Sequence, residues 1–373
     1  MNAVPLKNIG TGIGRYIHEL YTHIQKLYPE IEIRYFDGVR LCKRMPLPPE
    51  GLGPWTTAVD FAWRLPSALV YMARMLAHEL YARRFYRLSK GFDVYHEAGY
   101  CPFKTAASVK TIFTIHDVSL KTLPAFHPKD RVWFFEKYFK TSLNHTDQII
   151  TPSEFTKKEI QKAYSELPAE KIHPIPLGCN KSRFYLRNRA QITEYQSRRQ
   201  LPADYILFTG TTEPRKNVMT LLKAMARLPT DMQLVCTGWS GWGQDLEKEL
   251  QALGLKNRVI FTGYASDGEL PLLYAGARVF VYPSFYEGFG LPVLEAMACG
   301  CPVVCSNSAS LPEVTGSAAI LCSPNDAAGL ARAIQEVFAS DDLHARMRRK
   351  GLGQAAMFDW CIAAEKTVSI FGL

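Results

Sequence analysis

Short apolar runs rich in Ile, Val, Phe and Tyr alternate along this chain with stretches whose apolar positions recur every three or four residues. The first pattern predicts buried strands and the second amphipathic helices. Strand candidates in the first half are IEIRYF, DVYHE, KTIFTIHD, QIITPS and KIHPIPLG. In the second half they are YILFTGT, QLVCTG, RVIFTG, VFVYPS, PVVCSN and AAILCS. Strand and helix alternating from end to end predict the α/β class, with parallel sheets and helical crossovers. A chain of 373 residues exceeds what one core serves, so two Rossmann-like, doubly wound domains are expected. The expected boundaries are 1–178, a polar and basic linker over 179–204, a second domain over 205–357, and a closing helix over 358–373.

The stretch Tyr282 to Val304, YPSFYEGFGLPVLEAMACGCPVV, departs from plain patterning. The apolar run VFVYPS reads as a buried strand leading to Glu287. Gly288 and Gly290 make a turn, and Pro292 suits the first turn of a helix. Glu295 follows about one turn into that helix. A helix N-terminus offers unpaired N–H groups and partial positive charge, which suit phosphate. Two carboxylates there suit hydroxyl groups instead. Diphosphate and sugar hydroxyls together describe a nucleotide sugar.

This stretch resembles the signature of retaining glycosyltransferases of family 4, which have the GT-B fold: two Rossmann-like domains facing across a cleft. In that family two glutamates bracket seven residues, as Glu287 and Glu295 do. The resemblance implies that Glu287 meets the donor sugar's hydroxyls and Glu295 the nucleotide ribose. It places Gly288 and the main-chain groups of Phe289, Gly290 and Leu291 at the sugar and phosphates. It also implies that the closing helix returns to the first domain. The EPRKN phrase and the GFGLPVLEAMACGCPVV block look most like bacterial mannosyltransferases of surface polysaccharide synthesis, such as lipopolysaccharide. The expected reaction is retaining transfer of a hexose, mannose from GDP-mannose, to a hydroxyl of a glycan or lipid-linked glycan. UDP-glucose, UDP-N-acetylglucosamine and dTDP-rhamnose stay open as donors. A non-catalytic nucleotide-sugar-binding subunit and a GT-B epimerase are the other readings.

Further residues fall where α/β active sites gather. The run GTTEPRKNV, Gly210 to Val218, follows a strand and leads into a helix. Arg215 and Lys216 there can neutralise a leaving diphosphate. His116 closes KTIFTIHD, and the family pattern sets it over the donor sugar near the anomeric carbon. In GTGIGRYIHEL, Gly10, Gly12 and Gly14 precede a helix with Ile13, Tyr16, Ile17, Leu20, Tyr21 and Ile24 on one face. The resemblance puts Gly12 beside the diphosphate; a helix-start turn reads equally well. Trp239 and Trp242 can stack on a base or shield a cleft, and the resemblance passes Gly263 and Tyr264 near the nucleobase. Family members begin with a hydrophobic strand, whereas here VPLKNIGTGIGRY follows Met1 almost at once. The first strand is therefore expected to be truncated or missing.

Composition narrows the partners. Hydrophobic residues at 47% and charged at 21% indicate a well-packed globular chain. No apolar run is long enough to span a membrane, and no apolar signal segment opens the chain, so the cytoplasm is expected. The net charge of +9 is uneven: residues 1–180 carry 24 Lys/Arg against 17 Asp/Glu. That basic half fits an anionic membrane or a phosphorylated acceptor, and no nucleic-acid motif accompanies it. Phe61 to Lys90 mixes bulky apolar residues with six Arg or Lys and one Glu. Its helix can lie on the inner face of an anionic membrane or be a domain helix with a solvated basic face. Nine cysteines fit a reduced compartment. Cys299, Cys301 and Cys305 read as small buried hydrophobes rather than metal ligands. With no Asp-x-Asp anywhere, transfer without metal or cofactor is expected.

Overall fold

The computed structural model describes residues 1–8, 11–46, 65–239, 241–243 and 245–373. Gly10 and residues 61–64 of the basic segment lie outside them. The chain forms two compact units, Met1–Leu177 with Trp360–Leu373, and Gly178–Asp359.

In the first unit, β3 (Val94–Glu97), β4 (Lys110–Thr114), β5 (Gln148–Thr151) and β6 (Ile172–Pro174) form a parallel sheet in that order. A small antiparallel pair, β1 (Tyr35–Phe36) and β2 (Leu41–Cys42), is joined to it by the N-terminus. Asn2 bridges Phe36 in parallel, and its N–H donates to the His96 carbonyl at 3.4 Å. Residues 1–3 thus contribute a single parallel bridge at Asn2. The helix Gly12–Leu27 buries Tyr16, Ile17, Leu20, Tyr21 and Ile24, the face its spacing predicts, and the Thr11 hydroxyl caps it by accepting from Gly14 N–H.

The second unit has six parallel strands: β7 (Ile206–Thr209), β8 (Leu234–Thr237), β9 (Val259–Gly263), β10 (Val279–Tyr282), β11 (Val303–Ser306) and β12 (Ala319–Cys322). Their spatial order is β12-β11-β10-β7-β8-β9. Relabelled from β7, this is the doubly wound order in which the strand order reverses between the first and fourth strands. Burial explains the sequence pattern. The inner strands β8, β10 and β11 are buried throughout, so they read as unbroken apolar runs, while the edge strand β9 alternates.

Two regions differ from the sequence reading. The stretch 179–204, expected as a linker, contains the helix Arg189–Arg199, with Ile192 and Tyr195 buried against the helix Leu270–Gly276. Only a narrow apolar stripe is needed there, so charge masked the periodicity. The strand β2 is two residues long and too short for any periodic signal. No helix among the described residues is long and apolar enough to cross a membrane.

The closing helix Trp360–Phe371 lies against Gly12–Leu27 within the first unit, burying Trp360, Ala363, Ala364, Val368 and Phe371. Lys110 Nζ donates to the Ile370 and Phe371 carbonyls at 2.8 and 3.1 Å and so closes its C-terminal end. Truncation after Asp359 is predicted to destabilise the first unit by on the order of 5 kcal/mol, the burial of Trp, Val and Phe side chains. Urea unfolding followed by fluorescence measures this, and a wild-type midpoint in the truncated protein would contradict it.

Candidate active site

The loops after β7 and β10 leave the sheet side by side, at the point where strand order reverses. In open α/β sheets that is where ligands sit. After β7, Gly210 (φ +142°) turns the chain, a short turn Pro214–Lys216 follows, and Asn217 adopts the left-handed conformation (φ 57°) before the helix Val218–Met225. Asn217 Nδ2 donates to the carbonyls of Pro283 (2.9 Å) and Pro324 (2.7 Å), and Phe285 N–H donates to the Arg215 carbonyl (2.9 Å). The two loops are fastened together by these bonds.

They bring four charges into contact. Lys216 Nζ lies 2.7 Å from Glu287 Oε1, and an Arg215 guanidinium nitrogen lies 3.1 Å from Glu287 Oε2. The same guanidinium reaches Glu213 at 2.5 Å and donates to the Tyr286 carbonyl at 2.6 Å. All four side chains are 13% exposed or less. Lys216 also donates to the Tyr282 hydroxyl at 2.5 Å. Burial alone would raise the Glu287 carboxyl, but the Lys216 and Arg215 charges outweigh it and hold it at about 2. Burial lowers the Lys216 ammonium below its ordinary value, opposed by Glu287 and reinforced by Arg215. Glu287 is therefore ionised at every physiological pH.

The turn beyond Glu287 is shaped by Gly290, at φ +105°, where a Cβ would stand 2.6 Å from Leu311 Cδ2. Only glycine fits that position. The helix Leu291–Ala298 starts there with Pro292 in its first turn, and Phe289 is buried. Glu295, 2% exposed, accepts from the Tyr274 hydroxyl at 3.2 Å. A row of serines from the last residue of β11 onward holds the loop by its carbonyls. Ser306 donates to Ser284, Ser308 to Ser284 and Phe285, and Ser310 to Glu287 and Phe289 at 2.9 and 2.8 Å. With those carbonyls satisfied behind the loop, its shape is fixed independently of any ligand.

Loops after β8 and β9 adjoin this centre. A Cβ on Gly238 would meet the Gly210 carbonyl at 2.3 Å, so the β7 and β8 loops approach only because Gly238 is glycine. Gly238 N–H donates to the Gly263 carbonyl (2.8 Å), and Trp239 packs edge-on to Tyr264 at 5.6 Å. Open space surrounds Gly263, where a Cβ would meet nothing within 4 Å.

Gly12 and His116 belong to the first unit. A Cβ on Gly12 would likewise meet nothing within 4 Å. His116 follows β4, and its Nε2 donates to the Ala98 carbonyl at 2.8 Å, which leaves Nδ1 as the acceptor. Burial keeps its imidazole below the ordinary value despite that bond, so the ring is neutral near pH 7. Tyr16, from the helix that begins at Gly12, packs edge-on to it at 4.8 Å. Cys299, Cys301 and Cys305 are buried with their thiols pushed up by burial, and no cluster of potential metal ligands occurs among the described residues.

Sequence reasoning thus named Arg215, Lys216 and Glu287, which the structure joins, but missed Glu213, Asn217, Tyr274, Tyr282 and the three serines. A signal for the serines was present in CSNSAS, hydroxyls at alternate positions directly after a strand. Nothing in the sequence separates Glu213 from an ordinary loop carboxylate.

Two parallel-sheet units of Rossmann type, one with this charged centre at its switch point, are the architecture of GT-B glycosyltransferases. Residues 192–353 match the model of the family "Glycosyl transferases group 1", and residues 10–183 match "Glycosyltransferase Family 4". The O-antigen chain mannosyltransferase B of Escherichia coli is 36% identical over 99% of this chain and 98% of its own. The serotype-specific mannosyltransferase WbdA of E. coli is 28% identical over 70% of this chain, which spans 33% of WbdA. The structure of WaaG, a glycosyltransferase involved in lipopolysaccharide biosynthesis, superposes with a TM-score of 0.72 over 96% of both chains at 15% identity. The chain belongs to the group 1 and family 4 glycosyltransferases and is a glycosyltransferase.

The Glu287 carboxyl sits below its ordinary value of 4.5 in the folded protein, so its ion pairs stabilise the fold fully above about pH 4.5 and fade as pH falls toward about 2. Glu287→Gln is therefore predicted to destabilise the protein at pH 7 by about 3 kcal/mol and by progressively less in acid. Denaturant titrations of both proteins from pH 7 to pH 3 check this; a difference that grows toward acid would contradict it.

Proposed function

We propose that this enzyme moves mannose from GDP-mannose to a hydroxyl of a glycan or lipid-linked glycan, with retention at the anomeric carbon and without a divalent metal. The observation that carries the reading is the Arg215–Lys216–Glu287 contact at the switch point of the second unit. A departing nucleoside diphosphate needs concentrated positive charge, and two buried cations provide it where a metal would otherwise stand. Mannose as the sugar, and a surface polysaccharide as the acceptor, follow the E. coli O-antigen chain mannosyltransferase that aligns over the full chain.

Within this reading each residue has a chemical task. Before the donor arrives, Glu213 and Glu287 neutralise Arg215 and Lys216, so the centre costs little to keep buried. The sugar's hydroxyls then donate to Glu287, and the diphosphate takes over the cations. Gly288, Phe289, Gly290 and Leu291 offer backbone groups to sugar and phosphates at a helix start, where the dipole favours anions. Glu295 receives the ribose hydroxyls while Tyr274 steadies it. Gly210 leaves room for the diphosphate, and Gly263 and Tyr264 border the base. His116, in the first unit, is neutral and fixed through Ala98. The leaving phosphate oxygen accepts the proton of the attacking hydroxyl on the same face of the sugar, which yields retention. A lipid-linked acceptor would be met at a membrane surface, and the basic charge of residues 1–180 suits that meeting.

A panel of GDP-mannose, UDP-glucose, UDP-N-acetylglucosamine and dTDP-rhamnose, read by nucleoside diphosphate release, tests the donor. GDP-mannose alone is predicted to turn over, with a chelator present as without, and Glu287→Gln is predicted to lose about a hundredfold or more in kcat. Selective turnover of a UDP-sugar, or loss of activity with chelator that magnesium restores, would overturn the respective part. Conversion of the donor to another nucleotide sugar with no acceptor would make the enzyme an epimerase. A second prediction concerns charge replacement. Glu287→Ala leaves two buried cations with the single carboxylate of Glu213, so GDP is predicted to raise its melting temperature more than it raises that of the wild type, because phosphate supplies the missing anion. An equal or smaller shift would contradict it.

A further inference from the structure

Lys216 meets two different acceptors, one charged and one neutral. Its ammonium carries three N–H donors. Glu287 Oε1 takes one at 2.7 Å, and the Tyr282 hydroxyl takes another at 2.5 Å. The charged acceptor comes from the loop after β10 and the neutral one from β10 itself. Tyr282 is the last residue of that strand and is fully buried. Its ring lies near-parallel to Phe280, two residues back on the same strand face, at 5.6 Å, and to Phe208 of β7 at 6.2 Å. The sheet therefore fixes the ring, and the hydroxyl stands at the strand's C-terminal end where Lys216 arrives. With Lys216 donating into it, the hydroxyl keeps its own proton for Glu287, to which it also hydrogen bonds. Burial, and then the Glu287 charge, push the phenol well above its ordinary value, so it stays protonated.

A neutral acceptor and a charged one serve different purposes in a centre that takes up an anion. Glu287 cancels the Lys216 charge, and an arriving phosphate competes with it for the same N–H. Tyr282 holds the ammonium without cancelling its charge, and a phosphate gains nothing by displacing it. Resting on the reading that this centre receives a nucleoside diphosphate, we propose that Tyr282 is a positioning residue: its hydroxyl keeps Lys216 aimed at the diphosphate once Glu287 has released it. The side chain of Lys216 is a point charge on a flexible four-carbon stem, so its direction must be set from outside. The other charges around Lys216 are Glu287, Arg215 and Glu213. None of them does this work. Arg215 repels the ammonium, Glu213 is engaged by Arg215 at 2.5 Å, and Glu287 is the group displaced. Removing the hydroxyl leaves the ammonium to Glu287 and strengthens the pairing that a phosphate must break.

The test is calorimetric titration of GDP, with UDP in parallel, into the wild type, Tyr282→Phe, Lys216→Met and the double variant between pH 7 and pH 10. Phe keeps the ring packed on Phe208 and Phe280, and circular dichroism verifies that the variants are folded. Tyr282→Phe is expected to bind the diphosphate about tenfold more weakly at pH 7. The hydroxyl also favours the charged form of Lys216, so affinity in Tyr282→Phe is expected to fall with rising pH about one unit earlier than in the wild type. In the Lys216→Met background, Tyr282→Phe is expected to change affinity less than about twofold, because the hydroxyl acts through the ammonium. A residue that only packs the strand would cost the same in both backgrounds, and that result overturns the proposal. Wild-type or tighter binding in Tyr282→Phe, with Lys216→Met weakened, overturns it alone. Wild type that binds neither nucleotide, or wild-type affinity in Lys216→Met, overturns the diphosphate reading and the proposal with it.

Discussion

Arg215, Lys216, Glu213 and Glu287 form a buried cluster of two cations and two carboxylates, and much of the second unit is arranged to hold it. Opposite charges at 2.5–3.1 Å in a nearly dry site interact far more strongly than on a surface, but each also resists losing its water. Such a cluster persists only where the surroundings fix its geometry. The fixing is visible: Asn217 ties one loop to the other, the serines at the end of β11 and beyond hold the carbonyls behind Glu287, Gly238 allows a backbone approach that a Cβ would block, and Gly290 takes a left-handed turn against Leu311. Its two cations are held in place by two anions.

The topology decides where this happens. A parallel sheet whose order reverses between β7 and β10 leaves two loops diverging from neighbouring strand ends, and the centre is built from those two loops. The cations come from one loop, Glu287 from the other, and the helix at Leu291 aims its N-terminus into the same place. A ligand bearing both phosphate and hydroxyl groups matches this mixture of cation, amide and carboxylate better than either group alone.

Much of this was legible before the structure. The eleven apolar runs read as strands all contain a strand, because parallel strands buried on both faces leave unbroken Val, Ile and Phe runs. Arg215, Lys216, Glu287 and Glu295 stood out because glycines, a proline and strand ends framed them, and such framing survives in one dimension. What escaped notice depends on three-dimensional proximity. Ser310 lies far along the chain from Glu287 yet bonds its carbonyl, and Glu213 gains its meaning only through Arg215. The helix Arg189–Arg199 was hidden by its charge, and the paired apolar faces of Ser67–Leu88 cancel in any one-sided reading of helical periodicity.

Calorimetric titration of GDP into the wild type, Lys216→Met, Glu287→Gln and the double variant tests most directly whether the buried cations exist to receive a diphosphate. The account predicts that Lys216→Met weakens GDP binding at least about tenfold. It predicts that Glu287→Gln leaves binding unchanged or tighter, because a competing anion is gone. Wild-type affinity in Lys216→Met, or a loss in Glu287→Gln as large as in Lys216→Met, would contradict it and return the cluster to a purely structural role.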